Sequence, residues 1–124
     1  MFNSVDRFIK SFTNAARGIV YLFKSQPNAR FELIIAILVM IAGFLSEINS
    51  YEWVSILLCI ALVLGLEGIN TAIETFLNKV HPGFDSEIGK AKDVAAGAVL
   101  IASIVSAIIG FIIFVPRLIN LYNN

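Results

Sequence analysis

Two glutamates and two asparagines recur at helical spacing in an otherwise apolar segment: Glu67, Asn70, Glu74 and Asn78. At about 100° per residue, the last three lie within about 60° of Glu67, so a helix would carry all four on one polar stripe. An ionisable group at membrane depth costs roughly a few kcal/mol, which makes a functional site the first hypothesis for this stripe. A second interpretation is that the stripe bonds helices together in a bundle. Asparagines often do this, whereas two glutamates without cationic partners are poorly suited to it.

Lysines and a patch of small residues follow the stripe. Lys90, Lys92 and Asp93 stand just before Ala95–Ala98, where small side chains allow another helix backbone to approach closely. Carboxylates that can hold a divalent cation, beside a lysine that can contact phosphate, are what phosphoryl transfer from a nucleotide requires. An oligomeric cation channel or transporter could use the same acids, but it gains nothing from lysines at its mouth. A purely structural membrane subunit would leave the energetic cost of Glu67 unexplained.

Other chemistries have little support in the sequence. No G-x-x-x-x-G-K-[ST] phosphate loop occurs, and no G-x-G-x-x-G follows a strand. The single histidine, His81, precedes Pro82 and Gly83 and is more typical of a turn than of a metal site, so no Ser/His/Asp hydrolase set is indicated. The single cysteine, Cys59, excludes an internal disulfide and a multi-cysteine zinc site.

The composition indicates that membrane helices position these residues. The chain has 124 residues, of which 58% are hydrophobic and only 15% are charged. Soluble domains are about 45–50% apolar and about 25% charged, and a chain this short cannot bury so much apolar surface in one core. Disordered chains are apolar-poor, which excludes disorder. Nine basic and nine acidic residues cancel, so no nucleic-acid partner is indicated. We therefore expect an all-α integral membrane protein.

The N-terminal segment has the pattern of an amphipathic helix. Apolar residues recur every three or four positions between Phe2 and Phe23, which predicts a helix over residues 3–25 with Lys10 and Arg17 off the apolar stripe. The charges also interrupt any apolar run long enough for a signal peptide. A basic amphipathic helix suits the membrane interface, although a helix packed on protein would show the same pattern.

Three longer apolar stretches predict transmembrane helices, since a bilayer core requires about 20 helical residues. The spans are expected over about 31–49, 53–77 and 93–116, with Pro116 closing the last. No linker or repeat divides the sequence, so residues 1–124 are interpreted as a single domain.

The distribution of charge orients these spans. Basic residues precede the first span, and Lys79, Lys90 and Lys92 lie between the second and third. The first connecting loop instead carries Glu47 and Glu52 and no Lys or Arg. The positive-inside rule then places the N-terminus and the second loop in the cytoplasm, on the side where ATP is available.

At these residues the chain resembles the prokaryotic diacylglycerol kinase family, small membrane lipid kinases that include the undecaprenol kinases. The resemblance runs from about Arg17 to Ile109, and its most specific parts are Glu67–Glu74 (EGINTAIE) and Lys90–Val99 (KAKDVAAGAV). It implies a homotrimer of three-span subunits in the bacterial inner membrane, each with an N-terminal surface helix. It also implies that MgATP phosphorylates a lipid alcohol, either diacylglycerol or undecaprenol, and both segments look slightly more like the undecaprenol branch.

The resemblance assigns roles to residues of this chain. Glu67 would be the catalytic base that takes the proton of the lipid hydroxyl, with Asn70 supporting it in the same site. Glu74 would hold the Mg²⁺ bound to ATP, while Lys92 and Asp93 would contact the nucleotide. The remaining implied contacts are Ala96 to the lipid and Gly83, Phe84 and Asp85 to ATP.

Two positions depart from the family pattern. Gln26 occupies the place, shortly before the first span, where the family usually has a second metal-binding glutamate. Its carbonyl can coordinate a metal but brings no charge. Asn78 replaces an acid that is common after the E-x-x-N-x-x-x-E motif.

Overall fold

The computed structural model describes residues 3–124, and within that range it contains four α-helices and no β-strand. Helix α1 spans Ser4–Ser25, α2 spans Pro27–Leu45, α3 spans Ser50–Val80 and α4 spans Ser86–Tyr122. Helices α2, α3 and α4 are long and apolar enough to cross a membrane. The expected all-α membrane class is confirmed. Phe2, at the start of the N-terminal apolar pattern, lies outside the described residues.

All three long helices begin before the predicted spans, and residues at the helix starts explain this for two of them. Helix α2 begins at Pro27 rather than near residue 31. Proline is favoured at the first position of a helix, because the N–H group that it lacks would have no hydrogen-bond partner within the helix there. Helix α3 begins directly after Asn49, whose side chain accepts a hydrogen bond from the Glu52 N–H at 3.0 Å. The Glu52 carboxylate accepts one from the Asn49 N–H at 2.9 Å, which completes a capping box.

Helix α4 continues through Pro116 to Tyr122, whereas the apolar span was expected to close at that proline. A proline inside a helix removes one backbone hydrogen bond. The guanidinium group of the next residue, Arg117, donates a hydrogen bond to the Ile113 carbonyl at 2.8 Å. It also donates one to each carboxylate oxygen of Glu52, at 3.0 and 2.7 Å. This bidentate ion pair links the last turns of α4 to the first turn of α3 and stabilises the part of α4 that follows the proline.

Removing the Arg117 guanidinium is expected to destabilise the bundle. The two side chains of the pair are only 31% and 23% exposed, so Arg117→Met should lower the free energy of unfolding by about 1–3 kcal/mol. The thermal midpoint in detergent micelles measures this. Lys90→Met is the matched control, because the Lys90–Glu87 pair is 72% and 80% exposed and should contribute little. Equal midpoints for the two variants would contradict the prediction.

The interior of the bundle is apolar at one end and polar at the other. Helix α3 packs against both α2 and α4, and α1 rests on α2 and α3. Near the first loop, Ile48, Ile56 and Ile113 form the apolar core, and the Trp53 ring packs at its edge. Farther along α3 the buried side chains are polar. Most large apolar side chains point outward, as expected for helices surrounded by lipid or by other membrane helices.

Candidate functional site

The first two residues of the polar stripe of α3, together with the neighbouring Thr71, are the buried polar side chains of the described residues. Glu67 is 3% exposed, Asn70 is 8% exposed and Thr71 is 4% exposed. The Asn70 side-chain amide donates to the Glu74 carboxylate at 3.5 Å, and the carboxylates of Glu67 and Glu74 interact electrostatically. The predicted set of Glu67, Asn70 and Glu74 therefore lies on one face of one helix, with Glu67 deepest in the bundle.

Several buried polar atoms of this cluster have no hydrogen-bond partner within residues 3–124. They are Asn70 Oδ1, Thr71 Oγ1 and Glu32 Oε2. Buried polar atoms in folded proteins are nearly always bonded, so an unpaired buried oxygen is typical of a position that meets a ligand or another partner. All three can accept a hydrogen bond from a hydroxyl group or approach a cation.

Glu32 is a candidate site residue that sequence reasoning missed, because its position suggested only the start of the first span. It lies on α2, half-buried, and close enough to Glu67 for the two carboxyl groups to interact electrostatically. It also lines a groove of about 470 Å³ between α2, α3 and α4, whose other polar side chains include Ser103 and Ser106. An acid at the edge of an apolar stretch was the available signal, but the pattern does not say which residue it faces.

The cluster fits a magnesium ion that arrives with a nucleotide. Within residues 3–124 no group of three or more His, Cys, Asp or Glu could hold a metal by itself. Mg²⁺ commonly binds through one or two carboxylates together with substrate phosphates and water, so a complete protein cage is not required. The Glu74 carboxylate is a hard oxygen donor of the kind that such an ion prefers.

The lysine predicted to contact phosphate reaches the same stripe from the neighbouring helix. Lys92, on α4, donates a hydrogen bond to the Asn78 side-chain oxygen on α3. Asp93 follows it with an exposed side chain, and Ala96 is exposed one turn farther on. Sequence reasoning placed Asn78 on the stripe but did not identify it as the partner of Lys92.

The loop between α3 and α4 holds the other residues predicted to contact ATP. Phe84 is 97% exposed, and the Gly83 carbonyl lies 3.1 Å from His81 Nδ1. Asp85 caps α4 by accepting hydrogen bonds from the Glu87 N–H at 2.9 Å and the Ile88 N–H at 3.1 Å. Both bonds use one carboxylate oxygen of Asp85, so the local structure explains this residue first as a helix cap.

The cap at Asp85 should make the start of α4 sensitive to acid. The hydrogen bond from the Ile88 N–H, reinforced by the one from Glu87 and by nearby His81, lowers the pKa of Asp85. A lowered pKa means that the stabilising effect is complete above the ordinary value of about 3.9 and is lost as the pH falls through the value in the folded protein. Hydrogen exchange at the Glu87 and Ile88 amides should therefore lose protection below about pH 4.

Asp85→Asn is the matched control for that prediction. Asparagine is also a good N-cap but does not titrate, so protection at these two amides should be independent of pH in the variant. A wild-type protein whose protection at the two amides stays constant down to pH 2, about two units below the ordinary value, would contradict the prediction.

Sequence comparison with known proteins identifies the family of the chain. The sequence model of the family described as prokaryotic diacylglycerol kinase matches residues 13–114. The undecaprenol kinase of Bacillus subtilis is 40% identical over 116 residues, which cover 94% of each chain. A Synechocystis diacylglycerol kinase is 35% identical over 112 residues, covering 90% of this chain and 64% of its own length. The diacylglycerol kinase of Haemophilus influenzae is 32% identical over 108 residues, covering 86% of this chain and 91% of its own. The chain belongs to the prokaryotic diacylglycerol kinase family.

Proposed function

We propose that this protein is a lipid kinase that uses MgATP to phosphorylate the hydroxyl group of undecaprenol or of a related membrane lipid alcohol such as diacylglycerol. The observation that carries the proposal is the placement of Glu67. Its carboxyl group is almost completely buried in an apolar bundle, on the same helix face as the bonded pair Asn70 and Glu74. Family membership provides the class of reaction, and this cluster provides a place for it.

Glu67 is the proposed catalytic base. Its carboxylate takes the proton of the lipid hydroxyl while the hydroxyl oxygen forms a bond to the γ-phosphorus and the bond to the β-phosphate oxygen breaks, releasing ADP. Asn70, one turn along α3, supports the same site, because its unpaired side-chain oxygen can accept a hydrogen bond from the lipid headgroup.

The polar stripe beyond Asn70 is the proposed nucleotide site. Glu74 would hold the Mg²⁺ bound to ATP, and Lys92 would contact the phosphates with Asp93 beside it. When bound, the ion neutralises charge on the phosphates during transfer. The loop residues Gly83, Phe84 and Asp85 complete the proposed contacts to ATP.

The groove between α2, α3 and α4 is the proposed entry for the lipid. It is largely apolar and includes Glu32, whose carboxyl group interacts with that of Glu67, so a lipid tail can remain in the groove while its hydroxyl reaches the base. Ala96 is the further proposed lipid contact on α4. We propose undecaprenol ahead of diacylglycerol as the substrate, because the Bacillus subtilis relative, which matches over 94% of both chains, is named for that lipid.

The proposed setting is the inner membrane of a bacterium. Residues 1–124 would form one multi-pass domain, with the N-terminus and the loop between α3 and α4 in the cytoplasm. Basic residues precede the first span, and Lys79, Lys90 and Lys92 lie on the helix ends beside that loop. The α1 helix would lie at the membrane surface, since large apolar side chains such as Phe8 and Phe12 remain exposed. A homotrimer is proposed by family resemblance, and the mostly outward-facing apolar surface leaves room for contacts between subunits.

A cation channel or transporter is the disfavoured alternative. The ammonium group of Lys92 is bonded to Asn78 on the acidic stripe itself. A fixed positive charge there opposes the passage of cations, whereas it favours the binding of phosphate.

The test is ATP-dependent phosphorylation by the purified protein in mixed micelles, with undecaprenol and diacylglycerol offered in parallel. We expect a phosphorylated product mainly from undecaprenol and none when Mg²⁺ is chelated. Product mainly from diacylglycerol would overturn the lipid assignment but retain the kinase. Product from neither lipid, with ATP-independent cation flux in liposomes, would favour the channel instead.

A further inference from the structure

Helix α1 is buried against the bundle at its C-terminal end. Residues 3–21 are all exposed, whereas Leu22 is buried and Phe23 is half-buried. One residue in an extended conformation, Gln26, separates α1 from α2. The direction of α1 relative to the bundle therefore depends on the contacts of its last turn.

The Arg30 side chain on α2 holds this last turn. Its Nη1 group donates hydrogen bonds to the Phe23 carbonyl at 3.0 Å and to the Lys24 carbonyl at 2.9 Å. The last carbonyls of a helix have no N–H partner within the helix, so Arg30 supplies a donor for two of them. Its positive charge is also favourable at the negative end of the helix dipole. Arg30 thus restrains the angle between α1 and α2.

Helix α1 lies beside α3 at the level of the proposed base. A Cβ atom placed on Gly68, the residue after Glu67, would lie 3.6 Å from the Leu22 Cδ2 atom. Next to this contact a groove of about 750 Å³ separates the two helices, and the buried Thr71 lines it from α3. Thr71 is four residues after Glu67 and therefore on the same side of α3. Helix α1 stands between water and this side of the polar stripe.

We propose that Arg30 is a positioning residue for α1, and that the helix it holds keeps water away from Glu67, so that the lipid hydroxyl receives the phosphoryl group. The inference rests on the kinase function proposed above and adds a residue that selects lipid over water as the acceptor. Arg30 acts through α1 and need not touch ATP or the lipid.

Water is the acceptor that competes with the lipid. If water reached Glu67, the carboxylate would take its proton while the water oxygen formed a bond to the γ-phosphorus and the bond to the β-phosphate oxygen broke, giving ADP and inorganic phosphate. The same base serves both reactions, so the access of water decides between them. A helix held beside α3 limits that access without blocking the lipid, which enters by the proposed groove between α2, α3 and α4.

Arg30→Met removes the donor and keeps a side chain of moderate length. We expect the ratio of ATP hydrolysis, measured without lipid, to lipid phosphorylation to rise by about three- to tenfold, because exposed hydrogen bonds from a charged group contribute modestly. A merely structural role would lower both rates together and leave the ratio unchanged. Arg30→Lys, which keeps a charged donor, should restore most of the wild-type ratio. Lys24→Met makes the same change in net charge but leaves the Lys24 carbonyl in place, so its ratio should equal that of the wild type.

The labelling of a buried thiol tests the position of α1 without relying on catalysis. In a Cys59→Ala background, Thr71→Cys places a thiol in the groove beside α1, where a water-soluble methanethiosulfonate reagent reports access to water. Adding Arg30→Met should raise the labelling rate by about three- to tenfold, since α1 is then less restrained. Ile56→Cys, equally buried but in the apolar core near the first loop, is the matched control and should label equally slowly with either residue at position 30.

Leu22→Ala removes the other contact that holds α1 and should produce the same two changes with Arg30 intact, so the test does not depend on one variant. An unchanged ratio of hydrolysis to phosphorylation in Arg30→Met would overturn the inference. An unchanged labelling rate at Thr71→Cys would also overturn it, as would an equal increase at Ile56→Cys, which indicates general loosening of the bundle. A wild-type protein that phosphorylates neither lipid contradicts the proposed function instead, and the labelling rates still decide whether Arg30 holds α1 beside the stripe.

Discussion

Glu67→Gln is expected to lower the kcat for lipid phosphorylation by about 10²–10⁴-fold, the usual contribution of a positioned general base. Glutamine has nearly the same shape and remains able to accept a hydrogen bond, but it cannot take the proton of the lipid hydroxyl. Glu67 lies one turn before Asn70, at the end of the polar stripe proposed to meet the lipid hydroxyl and away from the residues proposed to bind the nucleotide. The affinity for the non-hydrolysable ATP analogue AMP-PNP should therefore stay close to that of the wild type. The rate of product formation at saturating ATP and lipid measures the effect.

Glu47→Gln is the matched control for this change. Glu47 is an exposed acid in the loop between α2 and α3, far from the polar cluster, and its replacement should leave kcat unchanged. A Glu67→Gln protein that retains a third or more of the wild-type kcat would remove Glu67 from the role of base. Loss of AMP-PNP binding in the same variant would indicate damage to the nucleotide site instead.

Glu74→Gln is expected to raise the Mg²⁺ concentration required for half-maximal activity by at least roughly 10–100-fold, since even loss of an outer partner of a metal ligand has an effect of that size. The variant keeps an oxygen donor but loses the negative charge that Mg²⁺ prefers. High Mg²⁺ should therefore restore much of the activity, which would separate a weakened metal site from a misfolded protein. Activity titrated against Mg²⁺ at fixed ATP is the measurement.

Gln26→Glu provides the complementary test, in which the Mg²⁺ concentration required for activity should fall instead of rise. Gln26 lies at the junction of α1 and α2, where the family usually has a second metal-binding glutamate, so restoring the acid should lower the Mg²⁺ requirement. An unchanged Mg²⁺ requirement in Glu74→Gln would show that the metal is held elsewhere. If only Gln26→Glu has no effect, Glu74 keeps its proposed role and the second ligand is absent from this chain.

Much of the fold follows from local pattern, because periodicity determines which side chains share a face of one helix. The spacing of Glu67, Asn70 and Glu74 by threes and fours predicted the stripe, and the structure places all three on one face of α3. Helix ends need not coincide with the ends of apolar spans. They depend on capping residues such as Asn49 and on whether a helix can continue through a proline, as α4 does through Pro116. Hydropathy predicts neither feature.

The sequence by itself determined that the chain is a bundle of apolar helices with one acidic stripe, since composition and helical spacing are properties of each segment alone. Only the tertiary structure decided what faces that stripe. Glu32 interacts with Glu67 from α2, and Lys92 bonds Asn78 from α4. Arg117 likewise pairs with Glu52 across 65 positions of sequence. Such contacts depend on how the helices cross and how their loops turn, and the energies that set those angles are spread over the whole packed interface rather than carried by any one segment.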